Sequence, residues 1–155
     1  HTTDLIEPGD RLWLAAPTPG EHVPIGAART YGDGTDITLL TFGNGVYMSL
    51  RAAYRLLARG IGARVVDMRW IAPLPIDDIL REAEATGAVL VVDETRCSGG
   101  VAEGVLAALI DGGFGGRMAR VTSKDSFIPL GDAAKLMLLS EPEIEAAVER
   151  LLAPR

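Results

Sequence analysis

Residues Val89-Leu-Val-Val92 form an unbroken apolar run, with Gly87 just before it and Asp93 just after. Strand-favouring residues without polar alternation read as a strand buried on both faces, the kind found inside a parallel sheet. Two carboxylates, Asp93-Glu94, and a polar turn follow, and Gly99-Gly100 opens a helical pattern. A helix leaving such a strand must cross back over the sheet, so the stretch is one βα unit. The rest of the chain repeats that unit, which confines it to folds of alternating strands and helices.

In chain order, residues 1–23 carry turn signals at Pro8-Gly9, Pro17 and Pro19-Gly20 and no sustained period. Only Arg11-Leu-Trp-Leu-Ala15 looks like a short strand or packed arm. A lead-in this long reads as a linker arriving from a preceding domain, anchored by Trp13, with residues 24–155 as the domain itself. The alternative is a tail in which Trp13 binds nothing.

Ile25–Tyr31 and Ile37–Phe42 are the first two predicted strands, joined by the turn Gly32-Asp-Gly34 and running in opposite directions. A helix follows from Val46 to Arg59, with Val46, Leu50, Ala53, Leu57 and Ala58 on one face. Arg51, Arg55 and Arg59 fall on or near the other face, and Gly60 stops the helix. Ala63–Met68 is a third strand, Ile76–Thr86 a second helix opened by Asp77 and Asp78, and Gly100–Ile110 a third helix. Ala119–Thr122 is a fifth strand, and Asp132–Leu139 a short helical piece. Ser140-Glu-Pro-Glu143 is a capping box with Pro in the first turn, opening a last helix striped by Ile144, Val148, Leu151 and Leu152. The pattern predicts an α/β fold, a three-layer α/β/α sandwich whose five-stranded sheet is mostly parallel with one antiparallel edge strand.

At 155 residues, 48% hydrophobic and 23% charged, the chain suits a single folded core. No apolar run approaches the ~20 residues of a membrane span. The net charge of −6, with Lys and Arg scattered, argues against nucleic acid as a partner. Cys97 is the only cysteine, so no internal disulfide forms, which fits a reducing compartment, cytoplasmic or like an organelle matrix. The N-terminus has no basic segment followed by an apolar core, and so no signal peptide is expected. The chain starts at His1 rather than Met, as an expression remnant or a fragment of a longer protein would.

Ligands of open α/β sheets bind outside the carboxyl ends of the strands, so the loops there are the candidate sites. Phe42-Gly-Asn-Gly45 supplies two glycines of a dinucleotide fingerprint, and Asp67 ends the next strand as a ribose-binding acid would. Met48 stands where the third glycine belongs, which favours a tight turn satisfying the helix N-terminus. Asp93 and Glu94, as neighbours on a strand, point to opposite faces unless the strand has already ended. They are expected to cap the loop or to pair with Arg96 or Arg69. Cys97 has no histidine after it, and both histidines, His1 and His22, lie in the lead-in. Neither a nucleophile nor a metal site is supported. Gly99-Gly100 could cradle an anion, but Glu103 in the following first turn already suits the positive end of that helix. The residues alone give no catalytic constellation.

Three blocks carry a family likeness. Val23-Pro-Ile-Gly-Ala-Ala-Arg-Thr-Tyr-Gly-Asp-Gly-Thr-Asp-Ile-Thr-Leu-Leu-Thr-Phe-Gly43, Gly60-Ile-Gly-Ala-Arg-Val-Val-Asp-Met-Arg-Trp-Ile-Ala-Pro-Leu74 and Val91-Val-Asp-Glu-Thr-Arg-Cys-Ser-Gly-Gly100 stand in the order and spacing of one family. Together they resemble the C-terminal domain of the transketolase superfamily, above all the beta subunit or beta-like half of thiamine-diphosphate-dependent 2-oxoacid dehydrogenases. The resemblance implies the same three-layer fold. It also implies that thiamine diphosphate and Mg²⁺ sit between two other domains of the parent enzyme, and that this domain binds neither.

Its implied role is assembly, with other domains or subunits, in a homo-oligomer or heterotetramer, and docking of a lipoyl-bearing acyltransferase. The rim expected to carry such contacts is Asp67, Arg69, Trp70, Asp93, Glu94 and Arg96, with Trp13 on the arm. Ser123–Gly131 departs from the usual pattern and resembles partly the dehydrogenase "D-x-P-[IV]-P" segment and partly the "D-x-F-[IV]-x-x-G" segment of 1-deoxyxylulose-5-phosphate synthase, so that enzyme and transketolase are alternative parents. A free-standing nucleotide or phosphate module at Gly43–Gly45 is the alternative of another class, and it predicts a ligand lost on Gly45→Val.

Overall fold

A computed structural model describes residues 19–20, 22 and 24–154. The arm around Trp13 lies outside the described residues. Strands β1 (Arg29–Tyr31), β2 (Ile37–Thr41), β3 (Ala63–Asp67), β4 (Ala88–Arg96) and β5 (Arg117–Ser123) alternate with helices α1 (Gly45–Leu57), α2 (Ile76–Glu84), α3 (Val101–Asp111) and α4 (Glu141–Leu152). The sheet order is β1-β3-β2-β4-β5. β1 is antiparallel to β3, with Arg29 opposite Asp67, and every other pair is parallel. The expected class, strand number and antiparallel edge are all present.

Each face of the sheet has its own core. α1 and α4 cover one face, where Met48, Ala52, Leu56, Ile144 and Val148 pack on Leu39, Leu90 and Val92. On the other face α2 and α3 bring Ile79, Ala83, Ala102, Val105 and Leu109 onto Leu40, Val89 and Val91. Alternate residues of β2 and β4 therefore serve opposite layers, which is why their sequences show no polar alternation.

Four expectations need correction. β1 is only three residues long, because Ile25–Ala28 arrive as a turn whose Ala28 N–H donates to Asp78 Oδ2 at 2.7 Å. It pairs with β3 and runs opposite to β2, the direction expected. β4 continues past Asp93 to Arg96, with a register shift between those two residues. The piece after β5 is a 3-10 helix, Gly131–Leu136, with no buried residue to hold a longer α-helix.

The fourth correction concerns α1. Its buried residues are Gly45, Val46, Met48, Ser49, Ala52 and Leu56, whereas Leu57 is 64% exposed. The predicted stripe is rotated because the arginine face is itself covered. Arg51 Nε donates to Glu141 at 2.7 Å, Arg55 Nε to Glu145 at 2.6 Å and Arg59 Nη1 to Glu149 at 2.7 Å. Arg55 also reaches Glu141, and Arg59 reaches Glu145. Both sets recur every four residues, so α1 and α4 lie side by side in the same direction, joined by a ladder of ion pairs. The capping box at Ser140 starts α4 as its sequence specifies: Ser140 N donates to Glu143 Oε2 at 2.8 Å.

Candidate functional site

The loops at the carboxyl ends of β2, β3, β4 and β5 form one rim. Asp93 and Glu94 stand at its centre, on opposite sides of the sheet. Asp93 is fully buried on the α2–α3 side. Its Oδ2 accepts the Ala102 N–H at 2.7 Å, and its Oδ1 accepts the Thr95 N–H at 2.8 Å and the Thr95 hydroxyl at 2.7 Å. Glu94 is half-buried on the α1–α4 side, and its Oε1 accepts the Asn44 N–H at 3.1 Å. One pair of adjacent residues thus places a carboxylate at the N-terminus of a helix on each face, where the helix dipole favours negative charge. Capping was the expectation, and it takes the place of pairing with Arg96 or Arg69.

Both candidate anion cradles are shaped by these caps. At Gly43-Asn-Gly45 the carboxylate of Glu94 lies against the turn, and a Cβ on Gly43 would come within 3.2 Å of it. A diphosphate there would face a fixed negative charge. Met48, at the missing third glycine, is core. At Gly99-Gly100 the Ala102 amide in the first turn is taken by Asp93, and Glu103 stands in that same turn as expected. Glu103 turns outward, 3.5 Å from Arg120. A Cβ on Gly100 would meet Arg96 O at 2.4 Å, so this glycine lets the turn close against β4. The residues present do not fit thiamine diphosphate at either turn. Among the described residues, no three His, Cys, Asp or Glu side chains gather closely enough to hold a metal ion.

Asp67, Arg69 and Trp70 occupy the same rim at the end of β3. β2 separates them from β4, which puts the two groups about 10 Å apart by strand spacing. Asp67 Oδ1 accepts the Arg69 N–H at 3.1 Å, and Arg69 holds a left-handed backbone at φ 59°. Burial raises the Asp67 carboxyl above its ordinary value, outweighing that N–H and the nearby Arg69 and Arg29 charges. Arg69 and Arg96 are exposed, and Trp70 is half-buried.

Sequence reasoning missed what flanks the rim. Arg120 Nη1 donates to Cys97 O at 2.9 Å, fixing the β4–α3 turn to β5. Ser98 donates to Asp125 from its N–H at 2.9 Å and from its hydroxyl at 2.6 Å. Beyond Asp125 the side chains of Phe127, Ile128 and Leu130 are exposed. Three apolar residues in four positions were the available signal, inside what reads as a polar loop.

A model of the C-terminal domain of transketolase matches residues 26–146. The chain belongs to the transketolase C-terminal domain family. Over 133 residues this transketolase C-terminal domain is 33% identical to the pyruvate dehydrogenase E1 component subunit beta of Bacillus subtilis, covering 84% of the chain and 41% of that protein. It is 35% identical over 136 residues to the 1-deoxy-D-xylulose-5-phosphate synthase of a Polaromonas species, covering 85% of the chain and 21% of that protein. Among solved structures, a split-gene transketolase in an inactive beta4 tetramer matches with a TM-score of 0.76 at 29% identity, covering 87% of this chain and 44% of that one. A 2-oxoglutarate:ferredoxin oxidoreductase from Magnetococcus marinus, at 16% identity and a TM-score of 0.58 over 82% of this chain and 20% of its own, shares the fold. The domain spans less than half the length of each of these proteins.

Proposed function

We propose that this chain is the non-catalytic C-terminal assembly domain of a thiamine-diphosphate-dependent 2-oxoacid dehydrogenase. The parent enzyme decarboxylates a 2-oxoacid on thiamine diphosphate and Mg²⁺ held by its other domains, then passes the acyl group to lipoyl. The observation that carries this reading is the engagement of Asp93 and Glu94. The two carboxylates best placed for chemistry are fixed to backbone amides as helix caps, which leaves them to shape the rim. In this reading the rim of Asp67, Arg69, Trp70, Asp93, Glu94 and Arg96 contacts neighbouring domains or subunits, and Trp13 anchors the linker from the preceding domain. A lipoyl-bearing acyltransferase is the further partner, in a dimeric or heterotetrameric assembly in a reducing compartment.

The likeness to a pyruvate dehydrogenase beta subunit supports the dehydrogenase parent. Asp125-Ser-Phe127-Ile-Pro-Leu-Gly131 favours a second reading, in which the parent is a 1-deoxyxylulose-5-phosphate synthase. The complete gene product, assayed with 2-oxoacids and a lipoyl acceptor, separates the two. Acyl-lipoyl formation is expected, and condensation of pyruvate with an aldose phosphate would replace this parent with the second. The 155-residue chain alone should turn over no 2-oxoacid, and measurable decarboxylation by it would overturn the assembly role.

A further inference from the structure

The loop after β5 projects from the rim as a clasped finger. Lys124 N donates to Met137 O at 2.9 Å at its base, and Ser123 Oγ, itself accepting the Leu139 N–H at 3.0 Å, donates to Glu94 O at 2.8 Å. The two Ser98–Asp125 bonds fix its near side to the β4–α3 turn, and Gly131, at φ 67°, turns the chain back. At the tip Phe127 is 98% exposed, Leu130 96% and Ile128 63%. A loose loop could fold such side chains onto the nearest apolar surface, but this base holds them away from both cores. A fixed apolar projection of this kind marks an interaction surface.

We propose that this finger docks on the folded domain to which residues 1–23 lead, within the same polypeptide. The inference rests on the multidomain reading above. Where the chain enters selects the occupant. β1 runs antiparallel to β3, and Ala28 is tied to Asp78 in the first turn of α2. Residues 24–28 therefore lie at the carboxyl end of the sheet, the end from which the finger projects, with β1 and β5 as its two opposite edges. Ile25 at the entry and Ile71 in the β3–α2 loop are exposed there as well. A tethered neighbour on that side sees the finger at a high effective concentration, which a free partner does not.

The test uses the full-length protein with Phe127 replaced by photoreactive p-benzoylphenylalanine, which keeps the aromatic ring. Irradiation should give a crosslink at the mass of one chain, mapped to a residue before position 24. A crosslink between two chains, or to a separate polypeptide, would overturn the inference, as would capture of solvent alone. A second measurement uses Phe127→Asp/Leu130→Asp, at two positions almost fully exposed to solvent. Protease cleavage within residues 1–23 of the full-length protein should accelerate about tenfold as the docked state opens; an unchanged rate counts against docking. Substrate assays judge the parent enzyme separately. An intrachain crosslink with synthase activity keeps the finger and discards the dehydrogenase, and the reverse pairing does the opposite.

Discussion

The buried carboxylate of Asp93 accepts the Ala102 N–H at 2.7 Å, so the end of β4 and the first turn of α3 are held by one side chain. Asp93→Ala removes this cap and leaves the Thr95 and Ala102 donors short of a partner in the interior. It should cost about 2–4 kcal/mol in urea unfolding. Asp93→Asn keeps one acceptor oxygen and should recover part of the loss. A cost below about 0.5 kcal/mol for the alanine variant, the size of an ordinary surface change, would deny the cap its structural role.

Glu145 stands between Arg55 and Arg59 with only 8% of its surface exposed. Truncation to Ala should destabilise by about 1–2 kcal/mol, less than breaking a fully buried pair, because both guanidinium groups reach water. A double-mutant cycle of Arg55→Ala with Glu145→Ala should show favourable coupling that persists in 0.5 M salt, roughly three times the ionic strength at which exposed pairs are already screened. Independent effects of the two changes would reduce the ladder to surface decoration.

Asp67 and Asp78 should respond to pH in opposite senses. Burial holds the folded Asp67 carboxyl above its ordinary 3.8, so its ionised form weakens the fold at neutral pH. That penalty fades as pH falls through the raised value. Asp67→Asn should therefore melt higher than the parent at pH 7, with the two curves converging toward pH 3.8.

Burial pushes the Asp78 carboxyl up as well, but the Ala28 N–H and Arg81 outweigh it and the net value falls below 3.8. Its contribution is present above 3.8 and is lost as pH drops through the lower folded value. Asp78→Asn should melt lower at pH 7, and its deficit should shrink only in stronger acid. Circular-dichroism melts across pH 3–7 check both signs.

Gly45 opens α1 where a Cβ would lie 2.3 Å from the buried hydroxyl of Thr41. Gly45→Ala should cost about 1–3 kcal/mol as overpacking, whether or not any ligand exists. Loss of ligand binding on Gly45→Val would for the same reason report on packing first. Among the described residues the Thr41 hydroxyl has no hydrogen-bond partner, so Thr41→Val should be neutral or stabilising. A Thr41→Val variant weaker by more than about 1 kcal/mol would mean that the hydroxyl is bonded after all.

NAD and ATP probe the Gly43–Gly45 turn directly. A ligand at 100 times its dissociation constant adds about 2.7 kcal/mol, a visible rise in melting temperature. With Glu94 against the turn, neither compound should move the melt, and a clear rise with either would reinstate the turn as a site.

The alternation of apolar runs with amphipathic segments was enough to read the fold class, because β2 and β4 are buried on both faces and their composition says so. The cap at Ser140 was equally legible, being built from residues three apart. The face of α1 was not. Arg51, Arg55 and Arg59 look like a solvated stripe until Glu141, Glu145 and Glu149, some 90 positions later, are seen beside them. At the rim, strand periodicity separated Asp93 from Glu94, but only the crossing of two helices over opposite faces explains what each carboxylate meets. Asp78 likewise reads as a dipole charge within its own helix, while its partner is an amide fifty residues away.

The two layers also close at different moments of synthesis. The α2–α3 layer has all its helices once Asp111 has been made, whereas the α1–α4 layer waits for Ile144 and Val148. In a nascent chain Met48, Ala52 and Leu56 can pack on the sheet once β4 is made, but the side of α1 that meets α4 stays bare until that helix emerges and its glutamates meet the arginines of α1. Arrival of α4, rather than collapse of the sheet, is the step that seals this side, and a stop codon before Glu141 would leave it open.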